Sequence, residues 1–168
     1  MKLLDWMGNA ENASKIQSIF RFLADWWPAI VGALTVLETN DCHMSSCCLV
    51  FDDQGAMVAR YHKMHLCQVN VNDCLPVTES DHYQAGDQVV TVDTPIGCIG
   101  LSICYDLRFP SLYQLLRGAG ARILTVPAAF TEFTGKDHWL PLLRARAIET
   151  QCFVVAPNQS GHHGGKRR

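Results

Sequence analysis

The sequence predicts an α/β protein with a mixed β-sheet, and two features of the residue pattern lead to this fold class. Residues 47–62 and 88–104 each contain two short runs rich in β-branched and aromatic residues around a tight turn, which is typical of β-hairpins. From residue 105 onwards, apolar runs and helical patterns alternate, so that strand follows helix. Hairpins pair antiparallel and strand-helix-strand units pair parallel, so the two together predict a mixed sheet.

The first half of the chain begins with a predicted amphipathic helix over residues 13–27. Its apolar positions recur at helical spacing: Ile16, Ile19, Phe20, Leu23 and Trp27. The first hairpin follows, with "CCLVFD" and "AMVARYH" as strands around the turn "DDQG". Lys63 stands just after its second strand. The stretch 64–87 has no sustained period and is predicted to be a long loop, which in a compact domain is often functional.

The second half begins with the hairpin "QVVTVDT", "PIG", "CIGLSIC". A helix is predicted over about 109–118 and closed by glycines, and the buried strand "RILTVPAAF" follows it. The last helix, "KDHWLPLLRARAIET", is expected to hold Pro141 in its first turn, where a missing N–H is tolerated. One face of that helix is expected to carry Trp139, Leu142, Leu143 and Ile148. "CFVVAPN" closes the fold as a strand.

Composition restricts the class of protein. The chain has 168 residues, of which 48% are hydrophobic and 18% charged, with a formal net charge of −2, as expected for one globular domain. No basic excess argues for a nucleic-acid partner. The apolar run at residues 26–34 is too short to span a bilayer and contains a proline, and residues 1–12 lack the apolar core of a signal peptide. We therefore expect no membrane partner and a cytoplasmic location, with the mitochondrion as the alternative.

Eight cysteines are scattered along the chain without a Cys-x-x-Cys pair, so we expect free thiols rather than a disulfide framework. The cluster Cys42, His43, Cys47 and Cys48 offers zinc-ligating residue types. No second pair stands at the spacing of a zinc finger, and the prediction is therefore that the protein binds no metal.

The stretch "GLSICYDLRFP" places Cys104 where an apolar strand turns towards a helix. A thiolate is the attacking form of cysteine, and it needs a base or a positive field nearby. Backbone N–H groups at a helix N-terminus favour negative charge both on the sulfur and on a developing oxyanion. The alternative is that Cys104 is a small buried hydrophobic residue. The position favours a nucleophile and acyl transfer as the reaction class.

Three motifs resemble those of the carbon-nitrogen hydrolase, or nitrilase, superfamily. These are "GLSICYDLRFPSL", "ARYHKMHL", and "VPAAF" followed by "TGKDHWLPLLRARAIETQCFVVAPNQSG". They occur in the order and register of that superfamily from about Cys42 to Arg168, so residues 42–168 are predicted to be a partial hydrolase domain and residues 1–41 a divergent N-terminal segment. The phrases "HLC", "LLRARAIE" and "QSGHHGGKRR" resemble the branch of deaminated glutathione amidases and nitrilase-Fhit fusions.

The resemblance implies a four-layer αββα sandwich, of which this chain forms an incomplete part, and a Glu-Lys-Cys mechanism. Cys104 would attack an amide carbonyl, and Lys63 with the backbone N–H of Tyr105 would stabilise the oxyanion. Glu79 matches the second glutamate of the family, which orients the lysine and the substrate. Such thiol chemistry implies no cofactor.

The resemblance gives further residues a place near the site. Asp106 and Arg108 follow the nucleophile and could hold its turn by an ion pair or contact the substrate, with a structural role favoured for each. His65 is expected to be structural or solvated. The loops that border the family's pocket carry Phe130, Thr131 and His138.

The chain departs from the family pattern at both ends. The family's general-base glutamate lies upstream in a phrase like Phe-Pro-Glu, which this sequence lacks, and neither Glu11 nor Glu38 matches it. After "GGKRR" the family continues with further strands. We therefore expect a chain that is truncated at both ends and inactive alone, because it lacks the general base. Its full-length relatives are expected to be homo-oligomeric.

Two functions remain open from the sequence. One is an amidase that hydrolyses a small-molecule amide to a carboxylate and ammonia, with deaminated glutathione or the ω-amides of 2-oxo acids as substrate. The other is an inactive truncated homologue or isoform that acts only as an interaction partner.

Overall fold

The computed structural model describes residues 32–40, 43–69 and 77–161, with side chains placed for 44–68 and 78–161. The predicted helix over residues 13–27 lies outside these ranges, as does Cys42 of the zinc alternative.

The first sheet has three antiparallel strands in the order β1-β2-β3. They are β1 (Gly32–Asn40), β2 (His43–Phe51) and β3 (Met57–His62). The turn between β2 and β3 is closed by the Asp52 carboxylate, which accepts the backbone N–H groups of Gln54 (2.9 Å) and Ala56 (2.8 Å). The first predicted hairpin is therefore confirmed, whereas strand β1 had not been predicted.

The predicted long loop after Lys63 contains short regular elements. Strand β4 (Gln68–Val69) pairs antiparallel with β5 (Val77–Thr78), and a 3₁₀ turn (Glu79–Asp81) follows directly. Two-residue strands carry too little periodic pattern to be predicted from sequence. Their effect is to bring Glu79 back towards the end of β3.

The second sheet has four strands in the order β6-β7-β8-β9 and is mixed, as predicted. Strands β6 (Thr91–Thr94) and β7 (Gly97–Leu101) form the antiparallel hairpin, and β8 (Ile123–Thr125) and β9 (Phe153–Val155) continue the sheet in parallel. Two helices complete the described fold, α1 (Pro110–Gly118) and α2 (Glu132–Thr150).

Helix α2 corrects two expectations. It begins at Glu132 rather than Lys136, so Pro141 lies inside the helix and not in its first turn. Ile148 was expected on the packed face but is 69% exposed. The last turns instead bury Arg146, whose Nε donates to the backbone oxygen of Leu107 at 3.0 Å, and this contact sets which side of the helix faces inward.

One hydrophobic core joins the three-stranded sheet, the four-stranded sheet and helix α1. Its buried members come from β2 and β3 (Cys48, Val50, Tyr61), from β7 and the turn after it (Ile99, Leu101, Ile103, Leu107), from α1 (Leu112, Tyr113, Leu116), and from β8 and the residues near it and before β9 (Ala121, Leu124, Val126, Cys152). Trp139, Leu142 and Leu143 pack against it from α2, as predicted. Within the described ranges, no helix is long and apolar enough to cross a bilayer.

Candidate active site

Cys104 lies on a strained turn between β7 and α1. Strand β7 ends at Leu101, and Cys104 begins a 3₁₀ helix (Cys104–Arg108) with a φ of 48°. A positive φ is unfavourable for a residue with a Cβ and persists only where the surroundings enforce it. Here the Cys104 N–H donates to the backbone oxygen of Pro127 at 3.0 Å, which ties the turn to the loop after β8. The thiol is partly exposed.

Asp106 holds this turn from inside the protein. Its side chain is fully buried, and its Oδ2 accepts the hydroxyl of Tyr61 (2.7 Å) and the N–H of Ile103 (2.8 Å). Its Oδ1 accepts the backbone N–H of His65 (3.0 Å) and lies 2.7 Å from the Nδ1 of the same residue. Asp106 thus has structural contacts, and the donors around its carboxylate come from Tyr61, Ile103 and His65 rather than from Arg108, the ion-pair alternative.

Lys63 and Glu79 form a buried ion pair. The Nζ of Lys63 lies 2.5 Å from Oε2 of Glu79, and the side chains are 2% and 24% exposed. The same carboxylate oxygen accepts the backbone N–H of Cys67 at 2.7 Å. A lysine is almost never fully buried without a partner, so this carboxylate is what allows the ammonium to stay inside.

The pKa of the Cys104 thiol is raised, above all because burial disfavours the thiolate. A hydrogen bond from the backbone of Ala129 and the positive charge of Lys63 act in the opposite direction. The carboxylates of Glu79 and Asp106 add to the rise. The thiol is therefore largely protonated at neutral pH, and attack by its sulfur requires a group that accepts the proton.

Arg108 lies on the outer side of the turn. Its guanidinium nitrogens lie 3.3 and 3.4 Å from Nδ1 of His138, and the group stands over the rings of Tyr105 (5.6 Å) and Phe130 (5.3 Å). The structure thus brings together four of the predicted site residues: Tyr105, Arg108, Phe130 and His138. The Oγ1 of Thr131, at the start of α2, lies 3.1 Å from that of Thr134 instead.

Three contributors to the site were not predicted: Tyr61, Cys67 and Ala129. Tyr61 could have been found, because side chains alternate along a strand and Tyr61 shares the face of Lys63 two residues later. Cys67 and Ala129 act through backbone N–H groups, which no residue pattern identifies. His65 was expected to be structural or solvated; its backbone N–H and ring nitrogen contact the buried carboxylate of Asp106, and its side chain is 23% exposed. Among the described side chains, no three His, Cys, Asp or Glu residues converge as a metal site, and six cysteines are free.

The amino-acid sequence is similar to those of known proteins. The family model described as carbon-nitrogen hydrolase matches residues 3–168. A protein named deaminated glutathione amidase from Yersinia enterocolitica is 53% identical over 121 residues, covering 71% of this chain and 42% of that protein. The human protein of the same name is 50% identical over 123 residues, covering 73% of this chain and 38% of that protein. The chain therefore spans less than half the length of these relatives.

The fold is similar to that of a solved structure as well. The crystal structure of the Caenorhabditis elegans NitFhit protein matches with a TM-score of 0.82 and 39% identity, over 95% of this chain and 39% of that one.

Proposed function

This chain belongs to the carbon-nitrogen hydrolase family, and on that premise we propose that it carries the nucleophile and oxyanion groups of a thiol-dependent amidase. The single observation that carries the proposal is the buried pair of Lys63 and Glu79, whose charges act on Cys104 at a strained strand-to-helix turn. A buried cation of this kind supplies a fixed positive charge for a developing oxyanion.

In the proposed reaction, Sγ of Cys104 attacks the carbonyl carbon of an amide, and the carbonyl oxygen becomes an oxyanion. Lys63 and the backbone N–H of Tyr105 stabilise that charge. When the C–N bond breaks, the nitrogen takes up the thiol proton and leaves as ammonia, so that a thioester remains. Water then attacks the thioester carbon, the C–S bond breaks, and the carboxylate is released with the thiol restored.

The proton transfers need a general base, because the raised pKa of Cys104 keeps its thiol protonated. Glu79 is engaged with Lys63 and the N–H of Cys67, which suits an orienting role better. Two glutamates precede Lys63 in this sequence, Glu11 and Glu38, and neither stands in a phrase like Phe-Pro-Glu. We therefore expect this chain to turn over amides poorly when purified alone, since general acid-base catalysis contributes about 10²- to 10⁴-fold.

The proposed substrate is a small-molecule amide. The relatives named deaminated glutathione amidase support that compound as the first candidate, and ω-amides of 2-oxo acids are the second. Our proposal places the protein in the cytoplasm or the mitochondrion and its full-length relatives in homo-oligomers.

The second candidate is a non-catalytic homologue that acts as an interaction partner. The observation that favours it is the lack of a motif glutamate upstream of Lys63. In this reading the nucleophile turn and the buried ion pair are retained for the stability of the fold.

The two candidates can be separated by measuring ammonia release from a panel of amides that includes both candidate substrates, with Cys104→Ala as background. Turnover above that background, together with a thioester on the Cys104 peptide that hydroxylamine removes, would support the amidase. Loss of turnover in Glu38→Gln but not in Glu11→Gln would identify Glu38 as the base. Release equal to background for every amide, together with no thioester on the Cys104 peptide, would favour the non-catalytic homologue.

A further inference from the structure

A buried polar cluster joins the two chain segments that carry Lys63 and Cys104. We call it the Asp106 clamp, and it consists of the side chains of Asp106, Tyr61 and His65 with the backbone N–H groups of Ile103 and His65. We propose that this clamp is a positioning device that fixes the Lys63 ammonium relative to the Cys104 sulfur. The inference rests on the proposed function, in which these two groups stabilise the oxyanion and attack the amide.

On the lysine side, the clamp holds the chain on both sides of Lys63. Tyr61 precedes the lysine and donates its hydroxyl to Asp106 at 2.7 Å, while His65 follows it and uses its backbone N–H and its ring on the same carboxylate. The Tyr61 oxygen also accepts the backbone N–H of Met64 at 3.2 Å. Three contacts to one carboxylate therefore fix the five-residue segment in which the lysine is central.

On the nucleophile side, the same carboxylate closes the turn around Cys104. Asp106 accepts the N–H of Ile103 at 2.8 Å, and its own N–H donates to the Ile103 oxygen at 3.0 Å. Ile103 and Asp106 thus bracket the residue whose φ is 48°. The ring of His65 stacks on Phe109 just after this turn, with 3.8 Å between centroids and 9° between planes.

Because the Asp106 carboxylate is buried, the hydrogen-bond donors around it are costly to displace. Asp106 is 0% exposed, so its carboxylate depends on these donors for solvation. Hydrogen bonds to a charged group are roughly twice as strong as neutral ones, and loss of a donor cannot be replaced by water in a buried place. Within the described ranges, the Tyr61 hydroxyl and the His65 ring form their hydrogen bonds with Asp106 and the Met64 N–H and none with the side chains of Lys63 or Cys104, so they act through Asp106.

The test is the pH dependence of Cys104 alkylation by iodoacetamide, followed by peptide mapping in the chain as it exists. The charged groups that act on the sulfur are Lys63, Glu79 and Asp106. Cys67 and Tyr113 also interact with it electrostatically, but burial raises the pKa of both, so they are uncharged at neutral pH. Because the ammonium lowers the pKa of the thiol, Lys63→Met should slow alkylation at neutral pH. If the clamp positions that ammonium, Tyr61→Phe should also slow it, by about threefold or more, and move the profile to higher pH.

Tyr113→Phe is the matched control. Its hydroxyl is equally buried and lies 2.8 Å from Oγ of Ser102, and among the described residues it forms no hydrogen bond with residues 61–65. We expect the alkylation profile of Tyr113→Phe to coincide with that of the unmodified chain, even where its stability falls as much as that of Tyr61→Phe.

Three results would overturn the proposal: a Tyr61→Phe profile equal to that of the unmodified chain, an equal shift in Tyr113→Phe, or no effect of Lys63→Met. If Tyr61→Phe does not fold, His65→Leu replaces it, because this side chain is 23% exposed and the substitution keeps an apolar contact for Phe109. The assay requires no amide turnover, so it tests the clamp even if the proposed amidase activity is not found.

Discussion

Lys63 and Glu79 should be strongly coupled in their effects on the free energy of unfolding, and loss of Glu79 should cost more than loss of Lys63. The two charges are 2.5 Å apart, and at an effective dielectric constant of about 20 their attraction is roughly 7 kcal/mol before the cost of desolvation. Breaking a buried pair by removal of one partner typically costs about 3–5 kcal/mol, because an uncompensated charge remains inside. Removal of both charges avoids that cost.

The exposures of the two side chains set the asymmetry. Glu79→Gln leaves an ammonium that is 2% exposed, and we expect it to lower the free energy of unfolding by about 3–4 kcal/mol. Lys63→Met leaves a carboxylate that is 24% exposed and still accepts the Cys67 N–H, so its expected cost is about 1–2 kcal/mol. The double variant should cost roughly 2 kcal/mol less than the sum of the two.

The assay is urea unfolding followed by circular dichroism, with one m-value applied to all variants. Lys136→Met is the control partner for Glu79→Gln, because Lys136 is an exposed lysine over the Phe133 ring. That control pair should be additive within about 0.5 kcal/mol. If the free-energy losses of Lys63→Met and Glu79→Gln simply add in the double variant, the predicted coupling is wrong. If Lys63→Met costs more than Glu79→Gln, the argument from the exposure of the two side chains is wrong.

Three further predictions concern the site. Cys104 should be alkylated before Cys67, because the hydrogen bond from the Ala129 backbone and the charge of Lys63 oppose the effect of burial on the Cys104 pKa, whereas burial raises the pKa of Cys67 to about 11; faster labelling of Cys67 in peptide maps would contradict this. In a form that turns over amides, Lys63→Ala should lower kcat by on the order of 10²-fold, whereas a rise in KM alone would assign it to substrate binding. Gly86→Ala should lower the free energy of unfolding in urea by about 1–3 kcal/mol, because its Cβ would lie 2.4 Å from the backbone oxygen of His62. Gly118→Ala, with open space around it, should not.

Much of the fold follows from local pattern in the sequence. The hairpins and helix α1 were predicted because a period of 2 or 3.6 residues and the turn residues between runs are properties of neighbouring positions. The fold class and the family, with its amidase and NitFhit relatives, are confirmed. The expectations missed β1, the β4-β5 ladder and the true start of α2, because propensity is weak where tertiary contacts decide the boundaries.

For the site, the residue pattern by itself singled out Cys104, and the resemblance to the carbon-nitrogen hydrolase family added Lys63 and Glu79; their catalytic roles stay predictions. The resemblance also implied that Glu79 orients Lys63, and the two form an ion pair. Only the tertiary structure decided that Asp106 meets Tyr61 and His65 rather than Arg108. The physical reason is that a buried charge takes whichever donors the packed core brings within hydrogen-bond distance. Those donors come from chain segments far apart in sequence, so no local pattern specifies them.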